Sequence, residues 1–262
     1  MSLWEALVLG FVQGATEFLP VSSSGHLVMT QVLLGIEIPG VAFEVVVHVA
    51  TLVSILLVYR TRVAGILSGA VAGEAEALRY MGLVVVATIP AGILGVFAKD
   101  HIETLFDNPY VPGVGLLVTG AFLWSSRGAI ERATLEWPTW MAALLIGVAQ
   151  AFALVPGISR SGATVVAAIW LGVEAREAAA FSFLMAVPAI AGAAVLQIPE
   201  MSGSAAVGLS TSVLLAGSVV AGVTGVLAIR TFIVMLARRS FHFFAPYCWV
   251  VGAAYLLFLT LR

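Results

Sequence analysis

Two stretches of the sequence decide the fold: Gln13-Gly-Ala-Thr-Glu17-Phe-Leu-Pro20-Val-Ser22-Ser23-Ser24-Gly25-His26 and Pro156-Gly157-Ile-Ser159-Arg160-Ser161-Gly162. Each interrupts a long apolar run, the first between residues 3 and 35 and the second between residues 139 and 172. Proline and glycine end helices, and the hydroxyls can hydrogen-bond the backbone groups that a broken helix leaves free. Each run is therefore predicted to form two half-helices joined by a tip.

The rest of the sequence has the composition of a helical membrane protein. Of the 262 residues, 61% are hydrophobic and 10% are charged, and the mean hydropathy is +1.09. Soluble domains contain about 25% charged residues, and so few charges cannot cover a soluble surface of this size. A cytosolic enzyme, a nucleic-acid-binding protein, a secreted disulfide scaffold and a disordered chain are excluded. The single cysteine, Cys248, excludes an intrachain disulfide, and the net charge of −2 indicates no class of partner.

Six further apolar stretches have approximately the length that a helix needs to cross a bilayer, about 20 residues. Short charged segments such as Arg60-Thr-Arg62 and Lys99-Asp100-His101 separate them. The two broken runs are interpreted as re-entrant hairpins, because irregular backbone persists at membrane depth only inside protein or beside a wet cavity. The predicted fold is an all-α polytopic membrane protein, a single domain over residues 1–262. The six stretches are residues 42–59, 80–98, 110–126, 178–197, 211–229 and 243–261.

The two broken runs align without gaps at an offset of 137 residues, which indicates an internal repeat. Gln13 then lies over Gln150, and Ser22-Ser23-Ser24-Gly25 lies over Ser159-Arg160-Ser161-Gly162. A hairpin returns to its own side and three crossings follow it, so the second repeat must be inverted relative to the first. Inverted repeats place functional sites near the membrane midplane, between broken helices. The predicted repeats are approximately residues 1–130 and 138–262.

Basic residues predict how the chain is oriented. In this topology eight arginines share one side, whereas Lys99 and Arg262 lie on the other. Because basic loops stay in the cytoplasm, both termini and the mouth of the first hairpin are predicted to face outward. The second hairpin then enters from the cytoplasm. The eight arginines are Arg60, Arg62, Arg79, Arg127, Arg132, Arg176, Arg238 and Arg239.

Ionisable residues near the tips are candidates for a functional site, because a charge at the bilayer centre costs about 2.5–3.5 kcal/mol. Glu17, His26 and Arg160 lie at the tips, and His48 lies on the adjacent span. Serine-rich half-helix N-termini favour an anion, and a guanidinium suits phosphate oxygens. Ser, His and Glu are the parts of an activated nucleophile, so the pattern indicates phosphoryl chemistry on a lipid. Further candidates are Gln13, Ser22, Ser23, Ser24, Gly25, Ser159, Ser161, Gly162 and Thr164.

Simpler interpretations stay open for several of these residues. Glu17 and Arg160 could form an ion pair that only joins the two repeats, although desolvation offsets the attraction in such pairs. Ser22 and Ser161 could serve the broken backbone as readily as they serve chemistry. His48 is interpreted as a polar lining residue or a packing residue rather than a catalyst. The stripe Gly217-x3-Ala221-x3-Gly225 is interpreted as a helix-packing surface.

Both motifs resemble those of the undecaprenyl-diphosphatase family, also called bacitracin-resistance proteins, and the resemblance covers essentially the whole chain. It implies hydrolysis of undecaprenyl diphosphate to undecaprenyl phosphate and inorganic phosphate, which recycles the lipid carrier of cell-wall polymers in the bacterial cytoplasmic membrane. The site would open to the outer, periplasmic face. The resemblance also implies a homodimer, six spans with two re-entrant hairpins, and a divalent cation, Mg²⁺ or Ca²⁺. The family has Glu or Gln four residues before its glutamate. Gln13 is the neutral choice, which leaves Glu17 alone as the metal ligand.

Roles for the site residues follow from that reaction as hypotheses. Ser23 is the expected nucleophile, with His26 as general base towards Ser23 or as acid towards the leaving phosphate. Glu17 would orient His26, activate water or hold the metal, and Arg160 would neutralise the diphosphate. Attack by His26 itself or by a metal-bound water is the alternative. A transporter or flippase for a phosphorylated prenyl lipid is the competing function, because inverted repeats are typical of transporters.

Overall fold

The computed structural model describes residues 1–36, 41–201 and 209–261, and these are almost entirely helical. An isolated bridge between Leu135 and Val173 is the β-type pairing found in these ranges. The helices, numbered in chain order, are α1 Leu3–Phe18, α2 Ser23–Leu34, α3 Ala42–Val58, α4 Arg60–Val71, α5 Ala75–Phe97, α6 Lys99–Asp107, α7 Tyr110–Ser125, α8 Trp140–Phe152, α9 Arg160–Trp170, α10 Ala175–Met201, α11 Thr211–Ala237 and α12 Phe244–Leu261.

Several of these helices could cross a membrane, as the hydropathy predicts. Among the described residues four are long and apolar enough, namely α5, α10, α11 and α12 with the turn before it. A fifth candidate arises if α3 and α4 are taken together, although they meet at a bend of 78°. The all-α polytopic class is therefore confirmed. The full count of six crossings stays a prediction, because α3 and α7 have only 17 and 16 residues.

Two segments that were predicted as connections are helical instead. Arg60-Thr-Arg62 begins α4, and Lys99-Asp100-His101 begins α6. At the first of these points the chain changes direction by 78° and continues as a helix. The long basic side chains there can reach water while their stems cover apolar surface. In α6 the apolar residues Ile102 and Phe106 face a central cavity. Hydropathy alone does not distinguish such a bent helix from a loop.

Both predicted helix breaks are present. Residues 19–22 separate α1 from α2, and residues 153–159 separate α8 from α9. The Ser22 Oγ accepts a hydrogen bond from the Gly25 amide at 3.3 Å, and the Ser159 Oγ accepts one from the Gly162 amide at 3.1 Å. Equivalent serines thus cap the second half-helix of each hairpin. Each reversal also contains a residue with positive φ: Ser22 at 66° in the first, and Gly157 at 91° in the second.

The two halves of the chain pack by exchanging helices, in the sense that the first hairpin helix of each half lies against a helix of the other half. The first hairpin helix, α1, lies against α11, and its counterpart α8 lies against α5. Gly10 touches the backbone of Gly217, whereas Gly147, 137 residues after Gly10, touches the backbone of Ala87. The predicted small-residue stripe of α11 is confirmed as a packing surface, because all three of its residues are buried. This exchange brings the two tips into contact at the centre of the protein.

Two of the arginines that are predicted to share one side of the membrane form ion pairs near helix ends. An Arg62 Nη lies 2.6 Å from a carboxylate oxygen of Glu177, and Arg239 lies 3.7 Å from Glu131. The first contact joins the start of α4 to the start of α10, and the second joins the residues after α11 to the segment after α7. Arg262, which was also used to predict the orientation, lies outside the described residues.

Replacing Gly14 by valine is expected to push α1 away from α11, because a Cβ there would overlap the Ala221 carbonyl and the Thr224 hydroxyl. Overpacking of this kind costs about 1–3 kcal/mol, so the Tm in detergent should fall by about 5 °C. Gly95→Ala is the matched control, since no heavy atom lies within 4 Å of the added methyl group. Equal Tm values for the two variants would contradict the helix exchange.

Candidate active site

A buried ion pair joins the two tips. The Nη2 of Arg160 donates to Oε1 of Glu17 at 2.6 Å, across 143 residues of sequence. Glu17 is at the end of α1 and is 7% exposed, while Arg160 is the first residue of α9. The pair satisfies both charges inside the protein and sets the distance between the two half-helix N-termini.

The other oxygen of Glu17 organises the first tip. Its Oε2 accepts hydrogen bonds from the Gln13 Nε2 at 3.0 Å and from the Ser23 Oγ at 2.5 Å. The His48 Nε2 lies 3.9 Å from the same oxygen. A hydroxyl that donates directly to a buried carboxylate is the arrangement of a nucleophile with its base.

His48 faces this group in a fixed orientation. Its Nδ1 lies 2.7 Å from the backbone carbonyl of Glu44, which can only accept, so the Nδ1 carries a hydrogen. The Nε2 therefore faces Glu17 and the cavity. The prediction that His48 is a polar lining residue is confirmed.

A cavity of about 340 Å³ opens beside the ion pair. Ser22, Ser23 and Ser24 line it from the first tip, and Ser159 and Arg160 line it from the second. The remaining wall is mostly apolar and comes largely from α10 and from residues 153–158, which follow α8. A polar end joined to a long apolar wall fits a lipid with an anionic headgroup. The apolar wall includes Leu154, Ile158, Ile190, Ala193 and Ala194.

His26 occupies a different place from the one expected for it. It is not among the residues that line the cavity. Its Nδ1 lies 2.8 Å from the Ser22 carbonyl, and its Nε2 lies 2.8 Å from the Tyr247 hydroxyl, with the two rings stacked. The expected contacts of His26 with Ser23 and with Glu17 are absent from the described residues. The ring is held instead by the carbonyl one turn earlier and by α12, and the group that touches Ser23 is Glu17.

Several residues expected to contact the ligand support the tips from behind. The Ser161 Oγ donates to the carbonyl of Leu19, and the Thr164 Oγ1 lies 2.6 Å from the Ser182 Oγ. The two cap glycines bind the capping serines through their amides, and the described contact of Gln13 is with Glu17. These residues do not line the cavity, because each is used in holding a tip. The predicted ligand contacts that do line it are Ser22, Ser24 and Ser159.

Two residues of the site were not singled out from the sequence. Gln150 lines the cavity and is 2% exposed, and neither its Oε1 nor its Nε2 has a hydrogen-bond partner among the described residues. The alignment of Gln150 with Gln13 in the internal repeat was the sequence feature that could have identified it as a site residue. Tyr247, the partner of His26, lies 221 residues away from it, and no sequence pattern connects the two.

The predicted divalent cation does not fit the side chains around Glu17. The described ranges contain no group of three or more His, Cys, Asp or Glu residues that could hold a metal ion. Both carboxylate oxygens of Glu17 already accept hydrogen bonds from protein donors. No step of the reaction is therefore assigned to a metal, and the requirement for Mg²⁺ or Ca²⁺ stays a prediction.

Comparison with known proteins shows which family the chain belongs to. The family model described as bacitracin resistance protein BacA matches residues 6–254, which contain both tips. The chain belongs to this family. Among its relatives, proteins called undecaprenyl-diphosphatase from Desulfatibacillum aliphaticivorans and Alkaliphilus metalliredigens are 39% and 36% identical to it, over 97% and 100% of both chains. A third, from Desulfosudis oleivorans, is 40% identical over 95% of both chains.

Glu17→Leu should lower the Tm by about 10 °C, because a buried guanidinium that loses its counter-ion costs about 3–5 kcal/mol. The double variant Glu17→Leu/Arg160→Met removes both charges and should recover most of that loss. Thermal unfolding in detergent measures both changes. A double variant no more stable than Glu17→Leu alone would contradict the pairing.

Proposed function

We propose that this chain is a membrane phosphatase that hydrolyses undecaprenyl diphosphate to undecaprenyl phosphate and inorganic phosphate. The observation that carries the proposal is the Ser23 hydroxyl on the Glu17 carboxylate, beside Arg160, at the polar end of a cavity with a long apolar wall. Membership of the BacA family and the names of its relatives support the same substrate. The reaction recycles the lipid carrier of bacterial cell-wall polymers.

The geometry supports a two-step mechanism on the terminal phosphate. The Ser23 Oγ attacks the terminal phosphorus while its proton passes to Glu17. The bond from that phosphorus to the bridging oxygen breaks, and undecaprenyl phosphate leaves with the electron pair. The proton on Glu17 then passes to the departing phosphate, which restores the carboxylate. Water attacks the phosphorus of the phosphoserine while its proton passes to Glu17. The bond from that phosphorus to the Ser23 Oγ breaks, Ser23 takes the proton back from Glu17, and inorganic phosphate is released. Arg160 neutralises the charge on the phosphoryl oxygens, where electrostatic stabilisation dominates catalysis.

His26 acts in this mechanism by fixing the tip rather than by touching Ser23. Its ring ties the Ser22 carbonyl to Tyr247 of α12, and Ser22 immediately precedes the nucleophile. Glu17, rather than His26, is the base, because its carboxylate already accepts a hydrogen bond from the Ser23 hydroxyl. Attack by His26 itself would leave no phosphate on Ser23, so covalent trapping separates the alternatives.

The membrane arrangement that goes with this function is two inverted repeats, approximately residues 1–130 and 138–262, with six crossings and two re-entrant hairpins. The paired packing of α1 with α11 and of α8 with α5 supports it. The chain lies in the cytoplasmic membrane with its termini and its active site towards the periplasm. The cytoplasmic end of α5 would be its start, which lies near Arg62 and Glu177. The opposite end of α5 leads into α6, and Ile102 and Phe106 of α6 line the cavity, which supports a site towards the periplasm. A homodimer stays a prediction.

The transporter alternative has no support from the comparisons, since the matching relatives are named for a diphosphatase activity. Purified protein in detergent distinguishes the two functions. A phosphatase releases inorganic phosphate from undecaprenyl diphosphate without a sealed membrane, and a pure transporter does not. The same assay with a chelator measures the requirement for a divalent cation.

Ser23→Ala is expected to lose at least ~10³-fold in phosphate release, because the variant lacks the attacking oxygen. Acid quenching of wild-type protein with substrate labelled in the terminal phosphate should leave labelled phosphoserine at residue 23. Ser68→Ala is the control, since Ser68 is an exposed serine of α4. Near-normal turnover by Ser23→Ala would show that this serine is not the nucleophile.

Arg160→Ala is expected to lose at least ~10²-fold in phosphate release, as when one donor to a developing charge is removed. Arg160→Lys retains the charge but not the planar pair of donors, so it should recover only part of the activity. Activity is compared on samples whose elution by size-exclusion chromatography matches that of the wild type. Full activity in Arg160→Ala would rule out the proposed anion site.

A further inference from the structure

The half of the cavity contributed by α8 and α9 contains polar atoms that the proposed reaction does not use. Gln150 is nearly fully buried, yet both polar atoms of its side chain lack partners among the described residues. The Nη1 of Arg160 is also buried and unpartnered, although the Nη2 binds Glu17. Buried polar atoms in native proteins are nearly always hydrogen-bonded. Because Gln150 and Arg160 line one cavity, their free donors indicate a ligand group there.

Comparison of the two repeats shows why the Gln150 side chain has no hydrogen-bond partner among the described residues. Gln13 holds the equivalent place in α1, and its Nε2 donates to Glu17, four residues later. Four residues after Gln150 the chain has Leu154, so the second glutamine has no such partner. At the tips, Ser23 of the first repeat aligns with Arg160 of the second. The first repeat thus supplies the base and the nucleophile, whereas the second retains hydrogen-bond donors without an acceptor.

The position of Gln150 shows which part of a ligand it meets. Ala153 and Leu154, which directly follow the end of α8, belong to the apolar wall, together with Ile190 and Ala194 of α10. A prenyl chain lying on this wall carries one phosphate at its end, and that phosphate is the group nearest to Gln150. The terminal phosphate, one bridging oxygen further on, then extends towards Ser23.

We propose that Gln150, together with the Nη1 of Arg160, binds the lipid-linked phosphate of the substrate. The proposal rests on the proposed function and adds a specificity-determining residue to it. The Gln150 Nε2 donates to an oxygen of the phosphate that departs with the prenyl chain, so it holds the leaving group in line with Ser23. This contact distinguishes a prenyl diphosphate from a free phosphate.

Gln150→Leu tests the assignment, with farnesyl phosphate as a probe for the lipid-linked phosphate and inorganic phosphate as a probe for the terminal one. Binding of each probe is measured by calorimetry in detergent, which does not depend on turnover. The variant should bind farnesyl phosphate at least ~10-fold more weakly, the value of a hydrogen bond to a charged group. Its affinity for inorganic phosphate should change less than about twofold. Ser68→Ala is the control, because Ser68 is exposed on α4, lies outside the cavity lining and should leave both affinities unchanged.

Thermal unfolding of the same variant separates binding from a structural role. Gln150→Leu removes buried atoms that have no partners, so its Tm should equal or exceed that of the wild type. Gln150→Glu introduces a negative charge and should weaken binding of farnesyl phosphate further than the leucine does.

Three results would overturn the assignment: wild-type protein that does not bind farnesyl phosphate, a Gln150→Leu variant that binds it normally, or an equal loss for both probes. Failure of the proposed function looks different. It would appear as wild-type protein that releases no phosphate from undecaprenyl diphosphate, whatever Gln150 binds.

Discussion

The ion pair between Glu17 and Arg160 is the interaction on which the rest of the site depends. Two opposite charges stay inside a membrane protein only when they neutralise each other and keep further hydrogen bonds. This pair meets that condition through one atom of each side chain, so the second carboxylate oxygen and the second guanidinium nitrogen are available for other contacts. The Oε2 of Glu17 accepts from Ser23, and the Nη1 of Arg160 faces no protein acceptor among the described residues. The contact that joins the two halves therefore also activates the nucleophile and leaves a cationic donor for a phosphate.

Close packing of small residues makes that pair possible. Gly10 and Gly147 let α1 and α8 approach the backbones of α11 and α5, so each hairpin is held by a helix of the other half. At the centre, Gly25 lies against Gly157, and the two half-helix N-termini come together there. Because the packing crosses between the halves, we expect a side chain added at Gly10 or Gly147 to shift one charge of the pair relative to the other. Substitutions at these glycines should therefore lower stability and activity together.

The sequence predicted those features that depend on local signals. Proline, glycine and serine inside apolar runs indicate a break wherever they occur, and both breaks and their serine caps are present. The partner of the nucleophile could not be predicted in this way. His26 lies only three residues after Ser23, but its ring is bound by Tyr247, which lies near the other end of the sequence. The helical state of α4 and α6 was missed for a related reason: hydropathy reports where a span ends and not whether the helix continues in a new direction.

The most direct test is a structure of the protein with an undecaprenyl diphosphate analogue in which a methylene group replaces the bridging oxygen. The terminal phosphonate should lie with its phosphorus about 3–3.5 Å from the Ser23 Oγ, the separation of a near-attack geometry, and within hydrogen-bond reach of Arg160. The ion pair between Glu17 and Arg160 should persist beside it. A phosphonate bound away from both tips, with the ion pair closed and untouched, would contradict the assignment of this pair to the active site.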